Sequence, residues 1–190
     1  ATAILAGDAL QALSFYVITH DQKLAVDHSV RLQIIEKLAL ACGSRGMAGG
    51  QAIDLSSVGQ ALNVMQLEDM HIHKTGALIR ASISLAALAA PNSDTNELSC
   101  LDHFGKCIGL AFQIHDDILD EISDTETLGK THGTDRAKNK PTYPSIVGLQ
   151  VSKQRTQDLY QEAIESLQSL GSRNTEYLHY IAELIVKRDH

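Results

Sequence analysis

The run Gly109-Leu110-Ala111-Phe112-Gln113-Ile114-His115-Asp116-Asp117-Ile118-Leu119-Asp120 puts three carboxylates at the end of an apolar helical stretch. On a helix, Asp116 and Asp120 share a face, and Asp117 projects roughly 100° further round. Three such groups repel one another and have low helix propensity, so something must compensate them. A hard divalent cation is the natural compensator. The spacing is not that of an EF-hand, whose ligands alternate through a loop with a central glycine. The chemistry it points to is work on an oxygen-rich anion, a phosphate or diphosphate. A solvated acidic helix end is the bland alternative. The apolar flanks and the isolated Gln113, one turn earlier, weigh against it, and Asp124 continues the register if the helix lasts that far.

Other groups have types suited to the same ligand. Lys74-Thr75-Gly76 interrupts an apolar helix with a cation, a hydroxyl and a helix breaker. Lys74 can hold a phosphate oxygen, Thr75 can donate to one, and Gly76 permits a kink. The same three residues also fit a snorkelling surface lysine and a close helix contact. In Gly49-Gly50-Gln51-Ala52-Ile53-Asp54-Leu55, Gln51 and Asp54 lie within one turn and either line a polar cavity end or serve a helix terminus. Lys130, Lys138 and Lys140 follow the aspartates in a polar stretch, where flexible lysines can close on a phosphate or simply keep a surface soluble. Two rival metal readings remain: the paired Glu68-x-x-His71 and Glu176-x-x-His179 have di-iron spacing, and His115-Asp116 resembles the pair used by HD-type helical phosphohydrolases.

The elements that must position these groups are helical almost throughout. The pattern predicts helices over about residues 2–20 and from roughly Asp27 to Gly46, the latter with Val30, Ile34, Leu38 and Cys42 on one face. Asn63 starts a third, running past Lys74 to Ala90 with a break near Gly76. Asp94 and Glu97 form a capping-box pattern before a long helix to about Ile122. Residues 123–143 read as a charged loop, a lid or ligand clamp. Pro144 suits the first turn of a helix ending near Gly171, and Asn174 caps a last one to about Lys187. The alanine-rich stretch Ala77 to Ala90 means close helix packing or the wall of an apolar tunnel. No strand, repeat or linker is visible, so the expectation is a single all-α bundle over residues 1–190.

Composition narrows the partners. A net charge of −7 excludes a general nucleic-acid surface, although metals and a few lysines can invert the sign locally. Three cysteines, Cys42, Cys100 and Cys107, lack CxxC spacing, which fits a reducing cytoplasm. No apolar run reaches the length a membrane span needs. The chain opens in helical text without an initiator methionine, which reads as a processed or truncated start.

Together the motifs resemble the trans-prenyltransferases, or isoprenyl diphosphate synthases, close to bacterial short-chain members. The residues carrying the resemblance are Ile4 to Leu10, Gly49 to Leu55, His73 to Ile79, Phe112 to Asp120, Leu128-Gly129-Lys130 and Lys140-Pro141-Thr142-Tyr143-Pro144. The resemblance implies an isoprenoid-synthase-type all-α bundle around a deep cavity. It implies magnesium-dependent joining of isopentenyl diphosphate to an allylic diphosphate, by ionisation, alkene attack and proton loss to the pyrophosphate. By the same resemblance Asp116, Asp117 and Asp120 match the second aspartate-rich motif, which helps bind Mg2+. Lys74 and Lys140 match lysines on the allylic diphosphate, and Thr75 and Gln113 match polar groups near the diphosphate and reacting carbons. Gln51, Asp54 and Lys130 join them as substrate-binding candidates. The intact family member is usually a cytoplasmic homodimer.

One departure bears on activity. The family carries a first aspartate-rich motif and basic residues for isopentenyl diphosphate upstream of the matching region, and Asp21, Asp27 and Asp94 do not substitute for it. The expectation is therefore the C-terminal two-thirds of a farnesyl-type synthase, inactive alone, with apolar faces open to self-association. A non-catalytic prenyltransferase-like subunit and the HD-type phosphohydrolase are the alternatives.

Overall fold

A computed structural model of the chain describes residues 1–91, 93–122, 141–171 and 173–188. Among these the regular elements are all helical: α1 (Thr2–His20), α2 (His28–Cys42), α3 (Met47–Ser56), α4 (Val64–His71), a π-helical turn (Ile72–Gly76), α5 (Ala77–Ala89), α6 (Thr95–Ile122), α7 (Tyr143–Val147), α8 (Leu149–Gln168) and α9 (Glu176–Lys187). Lys130, Lys138, Lys140, Asp124 and most of the expected 123–143 loop lie outside the described residues.

Helix α6 is the axis of the bundle. Phe104, Cys107, Ile108, Ala111, Ile114 and Ile118 recur at helical spacing, and every one is buried. Leu67 and Met70 of α4, Leu159, Ala163 and Leu167 of α8, and Ala182 of α9 complete that core. Burying each large side chain contributes about 1.5–3 kcal/mol. The start of α6 is fixed as expected: Glu97 N–H donates to Asp94 Oδ1 at 2.8 Å, and Asp94 N–H donates to Glu97 Oε2 at 3.3 Å. Asn63 and Gln66 form a reciprocal cap at α4, and Asn174 Oδ1 accepts from Glu176 N–H at 3.0 Å ahead of α9.

Several features differ from expectation, among them the end of α2, at Cys42 rather than near Gly46. Gly148, with φ of 86°, breaks the anticipated 144–171 helix into α7 and α8, because a left-handed residue cannot continue an α-helix. Between the helices expected to Gly46 and from Asn63 lies a further one, α3, with Gly49 and Gly50 inside it. Helix α1 buries no residue, and among the described residues it is a helix long and apolar enough, by length and composition, to cross a membrane. The expectation of no such stretch counted unbroken apolar runs, which Asp8 interrupts, whereas the helix as a whole tolerates that one acid. The far end of α1 is pinned by Arg31, which donates to the Ile18 carbonyl and, at 2.8 Å, to that of Leu24.

Small residues set the close approaches. The alanine-rich α5 buries Ala81, Ser84 and Ala87, so close helix packing accounts for at least these positions. Gly109 of α6 faces Gly76 so tightly that a Cβ there would lie 2.9 Å from the Gly76 Cα. A Cβ on Gly50 would reach within 2.5 Å of the Lys74 Cα. Gly50→Ala and Gly109→Ala are accordingly expected to destabilise the fold by about 1–3 kcal/mol. Gly7→Ala, where nothing lies within 4 Å, is expected to be neutral or to stabilise by about 0.5–1 kcal/mol. Urea midpoints at equal m-values compare the three.

Candidate functional site

Lys74 and Thr75 sit on the π-helical turn between α4 and α5. One residue more per turn than an α-helix displaces the ladder locally, a device frequent at functional sites. Gly50 lets α3 press against this turn, and α3 in return supplies Asp54. The Lys74 ammonium donates to Asp54 Oδ2 at 2.8 Å, with Asp54 buried and Lys74 partly exposed. Gln51, one turn before Asp54, is half-buried. The two motifs read separately in the sequence are therefore one unit joined by a partly buried ion pair.

A second chain of contacts runs from the same turn into α6. Thr75 Oγ1 donates to Gln113 Oε1 at 2.8 Å, and Gln113 Nε2 donates to Asp117 Oδ1 at 3.3 Å. Asp117 is buried, and its other oxygen accepts from the Tyr143 N–H at 2.8 Å and faces His71 Nε2 at 3.2 Å. The carboxylate has no proton to give, so Nε2 of His71 carries one. Asp117 is thus compensated by neighbours on α4, α6 and α7. Sequence reasoning missed His71 and Tyr143 as its partners; the only local signal was their polarity beside apolar text.

Asp116 and Asp120 are placed differently. Asp116 is exposed, and its Oδ1 accepts from Arg188 Nη2 at 3.0 Å. That guanidinium also lies over the Phe112 ring, 4.3 Å from its centroid. Asp120 is half-buried one turn further on. Both occupy the C-terminal part of α6, whose last turn holds no basic residue. Helix carbonyls there add partial negative charge to the carboxylates, so the field and the oxygen donors both suit a hard divalent cation. The cluster divides into Asp117, which organises the fold, and Asp116 with Asp120, which remain at the surface. His115 Nε2 is engaged with the Arg188 carbonyl at 2.9 Å, and His71 is turned to Asp117. The described residues therefore do not assemble a further histidine with the His115-Asp116 pair.

Tyr143 closes the site from a third side. Its hydroxyl donates to Glu68 Oε1 at 2.8 Å, and Arg155 Nε stands 3.5 Å from the same oxygen. Burial, then the hydrogen bond and charge of Glu68, push the phenol up to about 12 from 10.0. The folded value lies above the unfolded one, so this group's stabilisation is complete below about pH 10 and is lost as pH rises through about 12. In a phenolate-absorbance titration of the folded protein, a component titrating near pH 12 is expected, and Tyr143→Phe removes it.

Truncating Asp117 leaves the buried Tyr143 N–H and His71 without an acceptor. Asp117→Ala is expected to cost about 3 kcal/mol of stability, whereas Asp116→Ala and Asp120→Ala cost less than about 1 kcal/mol. Denaturant unfolding of the three variants checks the division.

Comparison with known proteins identifies the family. Residues 1–181 match the polyprenyl synthetase family. The chain is 44% identical over 191 residues to farnesyl diphosphate synthase of Escherichia coli (strain K12), covering 100% of this chain and 64% of that protein. It is 47% identical over 176 residues to a probable farnesyl diphosphate synthase of Sinorhizobium fredii, covering 91% and 52%. Among solved structures, a putative farnesyl-diphosphate synthase from Marinomonas sp. MED121 superposes with TM-score 0.81 at 36% identity, covering 98% of this chain and 62% of that one. The geranyltransferase of Helicobacter pylori, complexed with magnesium and isoprenyl diphosphate, gives TM-score 0.78 at 31% identity, covering 97% and 59%. The chain thus spans between about half and two thirds of the length of these relatives. With a family match over nearly every residue and an all-helical fold to go with it, the chain belongs to the polyprenyl synthetase family.

Proposed function

We propose that these residues form the diphosphate-holding part of a prenyltransferase that joins isopentenyl diphosphate to an allylic diphosphate, giving a short-chain product of the farnesyl type. The observation that carries this reading is the contact chain from Thr75, beside Lys74 on the π-helical turn, through Gln113 to Asp117 on the helix that also bears Asp116 and Asp120. Mg2+, held by Asp116 and Asp120, would supply electrostatic stabilisation of the departing diphosphate.

The side chains divide the remaining work. Cleavage of the allylic C–O bond builds negative charge on the diphosphate, and a fixed ammonium stabilises that charge more in the transition state than before it. Lys74 spends one of its three donors on Asp54, which fixes the ammonium and leaves two for phosphate oxygens. Thr75 has committed its hydrogen to Gln113, so it presents lone pairs, the polarity suited to developing positive charge on the allyl group. Asp117 holds Gln113 in the orientation that accepts from Thr75. Lys130 and Lys140 belong to the same reading as phosphate ligands. So do cytoplasmic localisation, supported by three free cysteines, and assembly as a homodimer, supported by Ile4, Leu5, Leu10, Leu13, Tyr16 and Val17 exposed along α1.

A second part of the proposal concerns the 190 residues taken alone. They carry one aspartate-rich motif where the chemistry uses two, so the chain by itself is expected to yield no prenyl diphosphate. A chimera replacing the matched stretch of the E. coli relative with these residues is expected to elongate allylic diphosphates. In it, Asp116→Ala or Lys74→Ala lowers kcat by about 100-fold or more. Radiolabelled isopentenyl diphosphate incorporation measures all four proteins. Turnover by the chain alone would overturn the inactivity, and a folded, inert chimera would overturn the catalytic reading in favour of a binding subunit.

A further inference from the structure

Helix α6 carries a second cluster, on the face turned away from Asp116 and Asp120. His103 and Cys107 are one helical turn apart. Residues 107 and 116 are nine positions apart, about 14 Å along a helix axis, and the helical rotation between them is roughly 180°. The cluster is therefore separate from the diphosphate site.

Cys107 Sγ lies 3.7 Å from His103 Nε2 and 3.7 Å from Glu162 Oε2 of α8. All three potential ligand atoms fall within 4.8 Å of one another. For a tetrahedral ion with metal–sulfur and metal–nitrogen or –oxygen bonds of about 2.3 and 2.1 Å, ligand atoms stand roughly 3.6 Å apart. The two distances to sulfur meet that spacing, and the imidazole and carboxylate atoms lie within 4.8 Å of each other, so a bound ion draws at most that third pair closer. The donor set is one thiol, one imidazole and one carboxylate, which selects a borderline-soft ion over magnesium or calcium.

The carboxylate is oriented from outside the cluster. Arg155 Nη1 lies 3.6 Å from Glu162 Oε1, so Oε2 is the oxygen left facing the sulfur. Arg155 is shared with Glu68, which spreads its positive charge over two acids. Next to the cluster, an open cleft of about 360 Å³ is lined by Cys100, His103, Glu162, Glu165 and Ser166. Through it an ion in solvent meets the imidazole and the carboxylate first. Cys107 itself is buried, while its two partners His103 and Glu162 both line the cleft.

We propose that His103, Cys107 and Glu162 form a binding site for a borderline-soft divalent cation of the zinc class, tying α6 to α8. At present the thiol hydrogen points to Glu162. Binding replaces it: the S–H bond breaks, a sulfur–metal bond forms, and the proton leaves to solvent. A bound ion cross-links the two helices that make the heart of the core, so the thermal midpoint rises with ion concentration.

Cobalt(II), added to the purified chain without magnesium, is the probe. The expected result is a thiolate-to-cobalt charge-transfer absorption that saturates at one equivalent. Cys107→Ser abolishes it. His103→Gln and Glu162→Gln, both at exposed positions, weaken the affinity by at least about tenfold while leaving helix content unchanged. Asp116→Asn retains the band, since oxygen ligands alone give no thiolate transition. No thiolate band, or a band whose affinity is untouched by His103→Gln and Glu162→Gln, overturns the proposal. Either result leaves the prenyltransferase reading unaffected, because the two sites share no residue.

Discussion

A carboxylate inside a helical bundle has to be met by donors from its neighbours, and the donors that meet Asp117 come from three directions. Gln113 lies one turn back on α6, His71 ends α4, and the Tyr143 N–H opens α7. An unpaired charge at that depth would cost several kcal/mol. The arrangement therefore acts as a restraint: α4, α6 and α7 keep their relative positions or Asp117 loses its solvation. Tyr143 strengthens the restraint, since its hydroxyl reaches back to Glu68 on α4. Through Gln113 the same node holds Thr75, and so fixes the π-helical turn.

The turn has its own requirement, which is steric rather than electrostatic. Lys74 is brought to Asp54 because α3 approaches the turn through Gly50, and α6 approaches it from another side through Gly109 against Gly76. A methyl group at either glycine occupies space the neighbouring backbone already fills. Gly50, the Gly76–Gly109 contact and the two buried aspartates Asp54 and Asp117 thus determine where Lys74 and Thr75 point. Close-packed helices give the precision that a flexible loop would not, and charge-stabilising groups are only as useful as their placement is fixed.

What the sequence made legible was local. The caps at Asn63 and Asp94, the break around Gly76 and the extent of α6 all depend on residues within one or two turns, and the structure places them where the text does, whereas the N-cap position of α9 falls to Thr175, one residue after the expected Asn174. The motifs were legible as motifs too, because residue type and order survive without coordinates. Their connections were not. Arg188 lies 72 positions from Asp116, Tyr143 lies 26 from Asp117 and His71 lies 46 from it. Nothing in a polar residue's own neighbourhood announces such a partner. Helix α3 was obscured for a related reason: adjacent glycines have poor helix propensity, and only the backbone they approach explains their presence.

The three aspartates also show why adjacent, chemically identical groups need not do the same thing. Compensation of Asp117 is internal and dismantling it would unpair two buried donors, so its carboxylate is not free to change partners at moderate cost. Asp116 is met at the surface by Arg188, an ion pair worth at most about 1 kcal/mol in water-exposed surroundings. A divalent cation competing for that oxygen faces a small loss, and the Arg188 guanidinium has a second contact in the Phe112 ring, 4.3 Å from its centroid. Roughly 100° of helical rotation separates the two residues. That rotation converts one Asp-Asp pair into a structural anchor facing inward and a carboxylate facing out, and only the second can change partners at small cost.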